Sequence, residues 1–443
     1  MKDRYLIVLG FLGAILAGAV LLMLPVSSPS NTRMNFLDAL FTACSAVCIT
    51  GLTVIDVGTQ LSRFGHCVLL ALVQLGCVGI MTLGTFFLVV VGRRLSLESE
   101  FSIVNAYGSK GVKGWRGLVV WVVLSMLFFE LLGMWGIHEL VDAPRISWFN
   151  AYFYSVMAFC NAGFSPDPGS IAVFAKYPLV LLLMGALVLL GGVGFLVVYN
   201  VCTIQFWRRN LVKRGRLSLH SRVVLLSTFL FLAGMLVLFV ALEWRRDVLE
   251  AFPFSEKCAI AFFQAVTPRT CGFTVIPVHE LHPATRFVSE VLMFIGAGPG
   301  GAGGGIKVTT FAVFLVTLLA ICRGRRDAVI FKRSIPEAAV RESIVIVMVF
   351  AGVIALAMTA LLVTEGGENP IPFEHLLFEA VSAVSTTGLS CGNTTVSLST
   401  AGRFVIMLCM LCGRLGAIGV VMLIGGQDEP VSIRYPREEV VVG

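Results

Sequence analysis

The sequence predicts an all-α, polytopic membrane protein that consists of four similar units. Hydrophobic residues make up 57% of the 443 residues and charged residues only 13%. That is too little charge to cover the surface of a water-soluble protein of this length. Apolar runs long enough to cross a bilayer, about 20 residues, recur along the chain. We assign eight of them as transmembrane helices: Tyr5–Leu24, His66–Gly92, Gly117–Ile137, Pro178–Phe206, Val223–Leu242, Phe287–Cys322, Ile344–Val363 and Arg403–Gly425.

An internal repeat is the second observation that predicts this fold. In four places a Phe is followed ten residues later by a Gly that is flanked by small, hydroxylated or apolar residues. The intervals between successive glycines are 112, 109 and 116 residues. Such regularity indicates one structural unit that occurs four times. The four copies run from Phe41 to Gly51, Phe153 to Gly163, Phe262 to Gly272 and Phe378 to Gly388.

Each predicted unit contains a long apolar span, a short apolar segment, a Gly-centred loop and a second long span. The short segments have about 12 residues, which is too few to cross a bilayer. The predicted units, each with its short segment in parentheses, are 1–94 (Phe36–Val47), 95–210 (Trp148–Phe159), 211–326 (Phe254–Val266) and 327–443 (Phe373–Val384).

The distribution of Lys and Arg residues predicts the orientation in the membrane. If both termini are cytoplasmic, the inner segments contain about twice as many of the 33 basic residues as the outer segments, as the positive-inside rule requires. We therefore expect a multi-pass protein of the cytoplasmic (inner) membrane with both termini in the cytoplasm. The net charge of +7 then reflects membrane topology and does not indicate a nucleic-acid partner. In this orientation each short segment enters and leaves the bilayer on the outer side, as a re-entrant helix and loop.

Four re-entrant loops from one chain can surround a single central pore. Irregular backbone at membrane depth is tolerated where it lines water or is buried in protein. Backbone carbonyls can replace the hydration shell of a cation, and a Gly permits the backbone conformation that turns them inward. The short helices also direct their partially negative C-terminal ends toward the centre.

The composition of the loops indicates the class of ion. None of the four carries an Asp or Glu, the ligands that Ca²⁺ prefers, so a monovalent cation is expected. The alternative is that the glycines serve only four tight turns. The predicted ion-binding residues of the selectivity filter are Ile49, Thr50, Gly51, Leu52, Asn161, Ala162, Gly163, Phe164, Thr270, Cys271, Gly272, Phe273, Thr386, Thr387, Gly388 and Leu389.

These loop motifs resemble the ion-translocating subunit of the Trk/Ktr/HKT superfamily of K⁺ transporters, and the shorter Ktr type in particular. The resemblance covers essentially the whole chain. It includes the Gly-rich run Gly296–Lys307 and the segment Gly413-Arg414-Leu415-Gly416. Two departures are Cys271, where the family often has Ala, and a Gly-rich run that is poor in Ser and Thr. The resemblance implies that K⁺ is the transported ion.

The resemblance also implies partners. A homodimer of this chain in the lipid bilayer would be controlled by a separate cytosolic ring of nucleotide-binding subunits of the Ktr type. The basic inner loops Arg208–Arg222 and Arg323–Arg341 are the available docking surfaces, or they are topology signals alone.

The predicted sixth span is interrupted near its middle. Seven of the ten residues Gly296–Gly305 are glycines and one is a proline, so this stretch cannot form a stable helix. Broken helices in membranes usually mark a pathway or a gate, and the resemblance implies a gating loop below the filter. Glycines that serve only close helix packing are the alternative. The predicted gating residues are Gly298, Gly300, Gly301, Gly303, Gly304, Gly305, Lys307 and Arg414.

The same Gly-rich stretch does not predict a nucleotide site in this chain. Gly296–Gly301 matches G-x-G-x-x-G, but the required strand is replaced by a membrane span. A P-loop would need Gly directly before Lys307 and Ser or Thr directly after it, and neither is present.

Three further possibilities follow from the residues. One is a secondary transporter of another small solute, although such proteins more typically show two-fold repeats. Another is a Na⁺-permeable member of the same superfamily. An enzyme is not expected, because His, Asp and Glu residues are not clustered within the spans. The roles of Lys307 and Glu130, two ionisable residues at membrane depth, stay open: pathway, gate or structure.

Overall fold

The computed structural model describes residues 2–30, 32–78, 115–141, 146–203, 217–325, 327–367 and 370–424, and these residues are mostly helical. Their only sheet is a hairpin of two short strands, β1 (Val329–Ile330) and β2 (Arg333–Ser334). The helices of nine or more residues are α1 (Lys2–Leu22), α2 (Phe36–Val47), α3 (Arg63–Val78), α4 (Trp115–Leu140), α5 (Trp148–Phe159), α6 (Pro178–Val193), α7 (Phe195–Thr203), α8 (Leu219–Glu243), α9 (Phe254–Val266), α10 (Pro283–Phe294), α11 (Val308–Cys322), α12 (Glu337–Thr364), α13 (Phe373–Val384) and α14 (Thr400–Ile424).

The helices α2, α5, α9 and α13, called the short helices below, have the bounds predicted for the four short segments. Their starts follow from local sequence. Ser147 caps α5 by accepting a hydrogen bond from the Asn150 N–H, and Pro253 and Pro372 precede α9 and α13. From its middle to its C-terminus each short helix is almost completely buried, so its C-terminal end lies in the interior of the protein.

The long helices hold the short helices in a cyclic order. The second long helix of each predicted unit contacts the short helix of the next: α3 contacts α5, α6 contacts α9, and α10 contacts α13. The last of them, α14, contacts α2 and thereby closes the cycle. The C-terminal ends of the four short helices are consequently brought to one region of the molecule.

The described helices agree in part with the predicted spans. Three of them, with the segments Val120–Leu140, Leu219–Glu243 and Glu337–Thr364, are long and apolar enough to cross a bilayer unbroken. The sixth span is interrupted as predicted: α10 ends at Phe294 and α11 begins at Val308. Parts of the second, fourth and eighth predicted spans, namely 79–92, 204–206 and residue 425, lie outside the described residues. The total of eight spans therefore stays a prediction.

The predicted fourth span, Pro178–Phe206, differs from the expectation of a continuous helix. The chain bends by 100° between α6 and α7. The residue at the bend is Gly194, whose φ of 97° and ψ of 141° are not helical. Gly416 in α14 has a similar conformation, with φ 76° and ψ 162°. Only Gly adopts such angles without strain, so both bends are specified by the sequence.

Candidate functional site

The four Gly-centred loops that follow the short helices share one backbone pattern. We call them loop 1 (Cys48–Thr53), loop 2 (Cys160–Ser165), loop 3 (Arg269–Thr274) and loop 4 (Ser385–Ser390). In each loop the glycine and the residue two positions before it have positive φ. The φ angles are 54° at Ile49 and 90° at Gly51, 58° at Asn161 and 67° at Gly163, 65° at Thr270 and 80° at Gly272, and 51° at Thr386 and 86° at Gly388.

This pattern is unfavourable for the residues that adopt it. Ile49, Thr270 and Thr386 are β-branched, and a β-branched residue with positive φ is a genuine outlier. Such conformations cost about 1–3 kcal/mol each and persist only where the surroundings enforce them, typically at functional sites. Three β-branched outliers at equivalent positions therefore indicate that the conformation itself is needed.

The glycines of the four loops form a closed ring. Each glycine faces the backbone of the next loop along the chain, and the glycine of loop 4 faces loop 1. A Cβ built on any of them would lie closer than 3.0 Å to that backbone, so no other residue fits without movement. The contacts are between Gly51 and the Ala162 carbonyl oxygen, Gly163 and the Cα of Gly272 (2.8 Å from the built Cβ), Gly272 and the Thr387 carbonyl oxygen (2.7 Å), and Gly388 and the Thr50 carbonyl oxygen.

Loops 1 and 4 are stabilised in the same way. The Gly51 N–H donates to the Ser45 hydroxyl at 3.0 Å, and the Gly388 N–H donates to the Ser382 hydroxyl at 3.1 Å. The corresponding residues of the other two copies are Met157 and Val266, which cannot accept these bonds. The two copies with the most similar sequences therefore share a hydrogen bond that the other copies cannot form.

The Gly-rich segment Gly296–Gly305 lies against loops 3 and 4. The Gly304 N–H donates to the Thr386 hydroxyl at 3.0 Å. A Cβ built on Gly303 would overlap the Thr270 side chain, and one built on Gly305 would lie 3.3 Å from Ser385. The structure thus brings the predicted gating glycines into contact with two of the four predicted filter loops.

The bend between α6 and α7 holds the other side of the Gly-rich segment. The Gly298 N–H donates to the Gly192 carbonyl at 2.8 Å, and the Ala302 N–H donates to the Gly191 carbonyl at 3.1 Å. In return the Phe195 N–H donates to the Gly300 carbonyl at 3.3 Å. Because the helix is broken at Gly194, backbone groups near the break are free to satisfy those of the irregular segment, which must find partners at membrane depth.

The two predicted intramembrane cations both contact carbonyls of this region. The Arg414 guanidinium donates to the Ala302 carbonyl at 2.5 Å and also to the Gly76 carbonyl of α3. The Lys307 ammonium donates to the Gly303 carbonyl at 2.6 Å. Within the described part of the chain neither side chain forms an ion pair with a carboxylate. Arg414 therefore connects the Gly-rich segment to α3, a link that the sequence alone did not predict.

Glu130, whose role the sequence left open, also has partners. Its carboxylate accepts a hydrogen bond from the Gln74 amide at 2.7 Å, and the Cys160 thiol at the start of loop 2 lies 3.6 Å from its other oxygen. The Ser155 hydroxyl of α5 donates to its carbonyl at 2.7 Å. These contacts tie α4 to α3 and α5, which favours a structural role.

Sequence reasoning missed another buried carboxylate, Glu379, one residue after the repeated Phe of the fourth copy. Its position could have drawn attention to it, because it is the one acidic residue among the apolar and small residues 376–384. The hydroxyl groups that it contacts lie at the end of loop 4 and five residues after it, and nothing in their spacing predicts that they return to α13.

Comparisons with known proteins agree with this architecture. A sequence profile of the family described as TrkH, cation transport protein, matches residues 2–429. The chain is 34% identical to the Ktr system potassium uptake protein B of Bacillus subtilis, over 98% of this chain and 95% of that protein. It is 31% identical to the potassium/sodium uptake protein NtpJ of Enterococcus hirae, over 99% of this chain and 96% of that protein.

A solved structure shows the same fold. The potassium transporter TrkH from Vibrio parahaemolyticus superposes with a TM-score of 0.71, over 94% of this chain and 84% of that chain, at 17% sequence identity. The resemblance to the Trk/Ktr/HKT superfamily predicted from the loops is thereby confirmed, as is the expectation of a transporter in place of an enzyme. The chain belongs to the TrkH family of cation transport proteins.

Proposed function

We propose that this protein takes up K⁺ across the cytoplasmic membrane through one pore per chain, at the centre of the ring formed by loops 1 to 4. Four membrane–pore–membrane units, with the boundaries predicted above, would supply eight transmembrane helices and four re-entrant loops, with both termini in the cytoplasm. The closed ring of Gly51, Gly163, Gly272 and Gly388 carries this proposal. A shared ion path requires four loops that have the same backbone pattern and contact one another. Four tight turns that formed independently would not need to contact one another.

In this proposal the loop backbone forms the selectivity filter. The carbonyls of Thr50, Ala162 and Thr387 each approach the glycine of an adjacent loop, so they belong to the same narrow region. Carbonyl dipoles coordinate a monovalent cation without fixed negative charge. The C-terminal ends of the short helices add a partial negative charge that favours any cation at this point.

The Gly-rich segment is proposed as the gate on the cytoplasmic side of this filter. Its contacts with Thr270 and Thr386 support a position where it obstructs the path. Its conformation is held by three backbone hydrogen bonds to α6 and α7 and by Arg414, and all of these can break without disturbing the loops themselves. A ten-residue segment that contains seven glycines and has no regular pattern of backbone hydrogen bonds can change its conformation readily.

Control is proposed to come from a second component. The Bacillus relative is named as protein B of a Ktr system, which supports the existence of a further component. We propose that this component is a cytosolic nucleotide-binding ring beneath a homodimer of this chain. The exposed hairpin between α11 and α12, with Lys332 and Arg333, is a basic surface at which such a ring would dock. The other candidate surface, Arg208–Arg222, lies largely outside the described residues.

Na⁺ permeation is the second candidate function. The name of the Enterococcus relative includes both potassium and sodium, and it is 31% identical to this chain. Both candidates use the same loops, so they differ only in how tightly the ring excludes the smaller ion.

Flux measurements on purified protein in liposomes test both candidates. We expect Rb⁺ uptake that excess K⁺ blocks and Na⁺ does not. Gly51→Ser should reduce the preference for K⁺ over Na⁺, because the added Cβ would overlap the Ala162 carbonyl. Gly13→Ser is the matched control, since nothing lies within 4 Å of a Cβ at this helical position. An unchanged K⁺/Na⁺ ratio in Gly51→Ser would exclude loop 1 from the filter.

A further inference from the structure

A buried carboxylate holds the outer arm of loop 4 from behind. Glu379 in α13 has no exposed surface. It accepts hydrogen bonds from the hydroxyl of Ser390, two residues after Gly388, and from the hydroxyl of Thr395, which lies 3.1 Å from each carboxylate oxygen. The Ser390 and Thr395 hydroxyls also contact each other at 3.1 Å. One side chain thus fixes the loop where it leaves the ring and the turn that follows it.

Loop 2 has an equivalent contact with different chemistry. Tyr154 occupies the position of Glu379, one residue after the repeated Phe. Its hydroxyl lies 3.1 Å from the hydroxyl of Ser165, which is two residues after Gly163, and donates to the Asp167 carboxylate at 2.7 Å. The Ser165 hydroxyl in turn accepts from the Asp167 N–H at 3.1 Å. An acidic group and a Ser hydroxyl therefore fix the same part of both loops.

Loops 1 and 3 have no acidic group in this role among the described residues, although the Gln264 amide of α9 donates to the Ile276 carbonyl after loop 3 at 3.3 Å. The Thr42 hydroxyl, at the position of Glu379, donates to the Asp38 carbonyl of its own helix, and Phe263 has no polar group. Thr274, the counterpart of Ser390, donates to the carbonyl of Ile276, two residues further along the chain. Because the ring runs from loop 1 to loop 4 in chain order, the two loops that are held by an acidic group face each other across its centre.

The energetic cost of this arrangement implies that it has a function. A carboxylate without solvent contact is expensive to bury, and an apolar residue of similar size is often neutral or stabilising at such a place. Packing alone would be satisfied by Leu or Met at residue 379. The three hydroxyl-to-carboxylate contacts instead connect α13 to the end of loop 4 and to the turn that follows it.

We propose that Glu379 is a positioning residue for ion selectivity: it fixes the outer arm of loop 4, as Tyr154 and Asp167 fix that of loop 2, and so keeps the ring too rigid to contract around Na⁺. This rests on the proposed function of the loops. Glu379 itself contacts no ion in this account, because it lies behind the loop. Its loss should therefore weaken discrimination between ions more than it weakens transport.

The test compares Glu379→Gln with Glu374→Gln in liposomes that contain purified protein. Gln has the same shape but loses one acceptor and the charge, whereas Glu374 lies on the same helix with an exposed carboxylate. For Glu379→Gln we expect the K⁺/Na⁺ uptake ratio to fall about tenfold, the effect of one lost charge-assisted hydrogen bond. The maximal Rb⁺ rate should stay within about twofold, and Glu374→Gln should keep the wild-type ratio.

Additional variants keep the proposal falsifiable if Glu379→Gln does not fold. Ser390→Ala and Tyr154→Phe each remove one contact, and each should lower the ratio by a smaller factor. The double variant Glu379→Gln/Ser390→Ala should be no less selective than Glu379→Gln alone, since both substitutions break the same contact, the one between Ser390 and Glu379. Wild-type ratios in Ser390→Ala and Tyr154→Phe, or in a folded Glu379→Gln, would overturn the proposal. A wild-type protein without any K⁺ flux would instead refute the proposed function itself.

Discussion

The second long helices of the first, second and fourth units pack differently from that of the third. Gly76 in α3, Gly191 in α6 and Gly413 in α14 each face the carbonyl of the last residue of the preceding short helix, and a Cβ on any of them would overlap that carbonyl. In the third unit this place is taken by the Gly-rich segment, and Gly296 faces the Gly304 carbonyl instead. In three units a supporting glycine packs against the end of a short helix. In the third unit the corresponding region is the Gly-rich segment, which lies against loops 3 and 4.

A second repeated glycine, present in the second and fourth units, helps these units to pack against the Gly-rich segment of the third unit. Gly194 and Gly416 each lie three residues after the supporting glycine of their helix, and both have positive φ. The break at Gly194 supplies carbonyls and an N–H for the Gly-rich segment, and α14 supplies Arg414 two residues before Gly416. Repetition of one unit thus makes the ring, whereas the Gly-rich segment, the single departure from the repeat and the proposed gate, takes its partners from the neighbouring units.

The largest expected effect is at the ring. Gly163→Ala should reduce Rb⁺ uptake by about a hundredfold, because the added Cβ would lie 2.8 Å from the Cα of Gly272 and the residue has positive φ. Gly169→Ala is the matched control, since Gly169 also has positive φ but has nothing within 4 Å. Equal losses in both variants would mean that local strain, and not contact within the ring, is responsible.

The next effect concerns the one unit that departs from the pattern. Deleting Gly298–Gly304 should raise the uptake rate roughly tenfold, because the loops keep their own hydrogen bonds while the segment below them is removed. Uptake into liposomes, with the amount of folded protein measured by gel filtration, checks this. Abolished uptake in well-folded protein would show that the segment supports the ring as the glycines of the other units do.

A smaller increase is expected when the link between the Gly-rich segment and α3 is removed. Arg414→Gln should raise the uptake rate several-fold, since hydrogen bonds from a charged donor to carbonyls contribute about 1.5–3 kcal/mol. Arg341→Gln, in which an exposed ion pair with Glu337 is lost, serves as the control. A decrease in uptake for Arg414→Gln would indicate that Arg414 holds the pathway open.

The smallest effect is expected at Lys307. Its ammonium contacts the Gly303 carbonyl, four residues earlier in the chain, and this local contact does not connect the Gly-rich segment to α3 as Arg414 does. Lys307→Met should therefore change the uptake rate by less than about twofold. A change as large as that of Arg414→Gln would mean that the two cations act together on the segment.

The parts of this structure that depend on local sequence were predictable. The short helices and the loops were found at their observed bounds because the repeated Phe and Gly and the local apolar pattern specify them. The break of the sixth span was found because seven glycines cannot hold a helix.

The contacts between distant parts of the chain were not predictable. The apolar run Pro178–Phe206 is long enough for one continuous span, so the 100° bend at Gly194 was missed. The carbonyl partners of Arg414 and the hydroxyl partners of Glu379 depend on how distant segments meet, and no short-range pattern encodes that.

Location of a heavy alkali ion in crystals of the protein tests the central claim most directly. Rb⁺ scatters anomalously and replaces K⁺ in a carbonyl-lined site. The account predicts an anomalous peak at the centre of the ring, coordinated by the carbonyl oxygens of Thr50, Ala162, Cys271 and Thr387, which disappears in excess K⁺ and persists in Na⁺. A ring without a peak, or a peak only at side-chain carboxylates elsewhere, would contradict it.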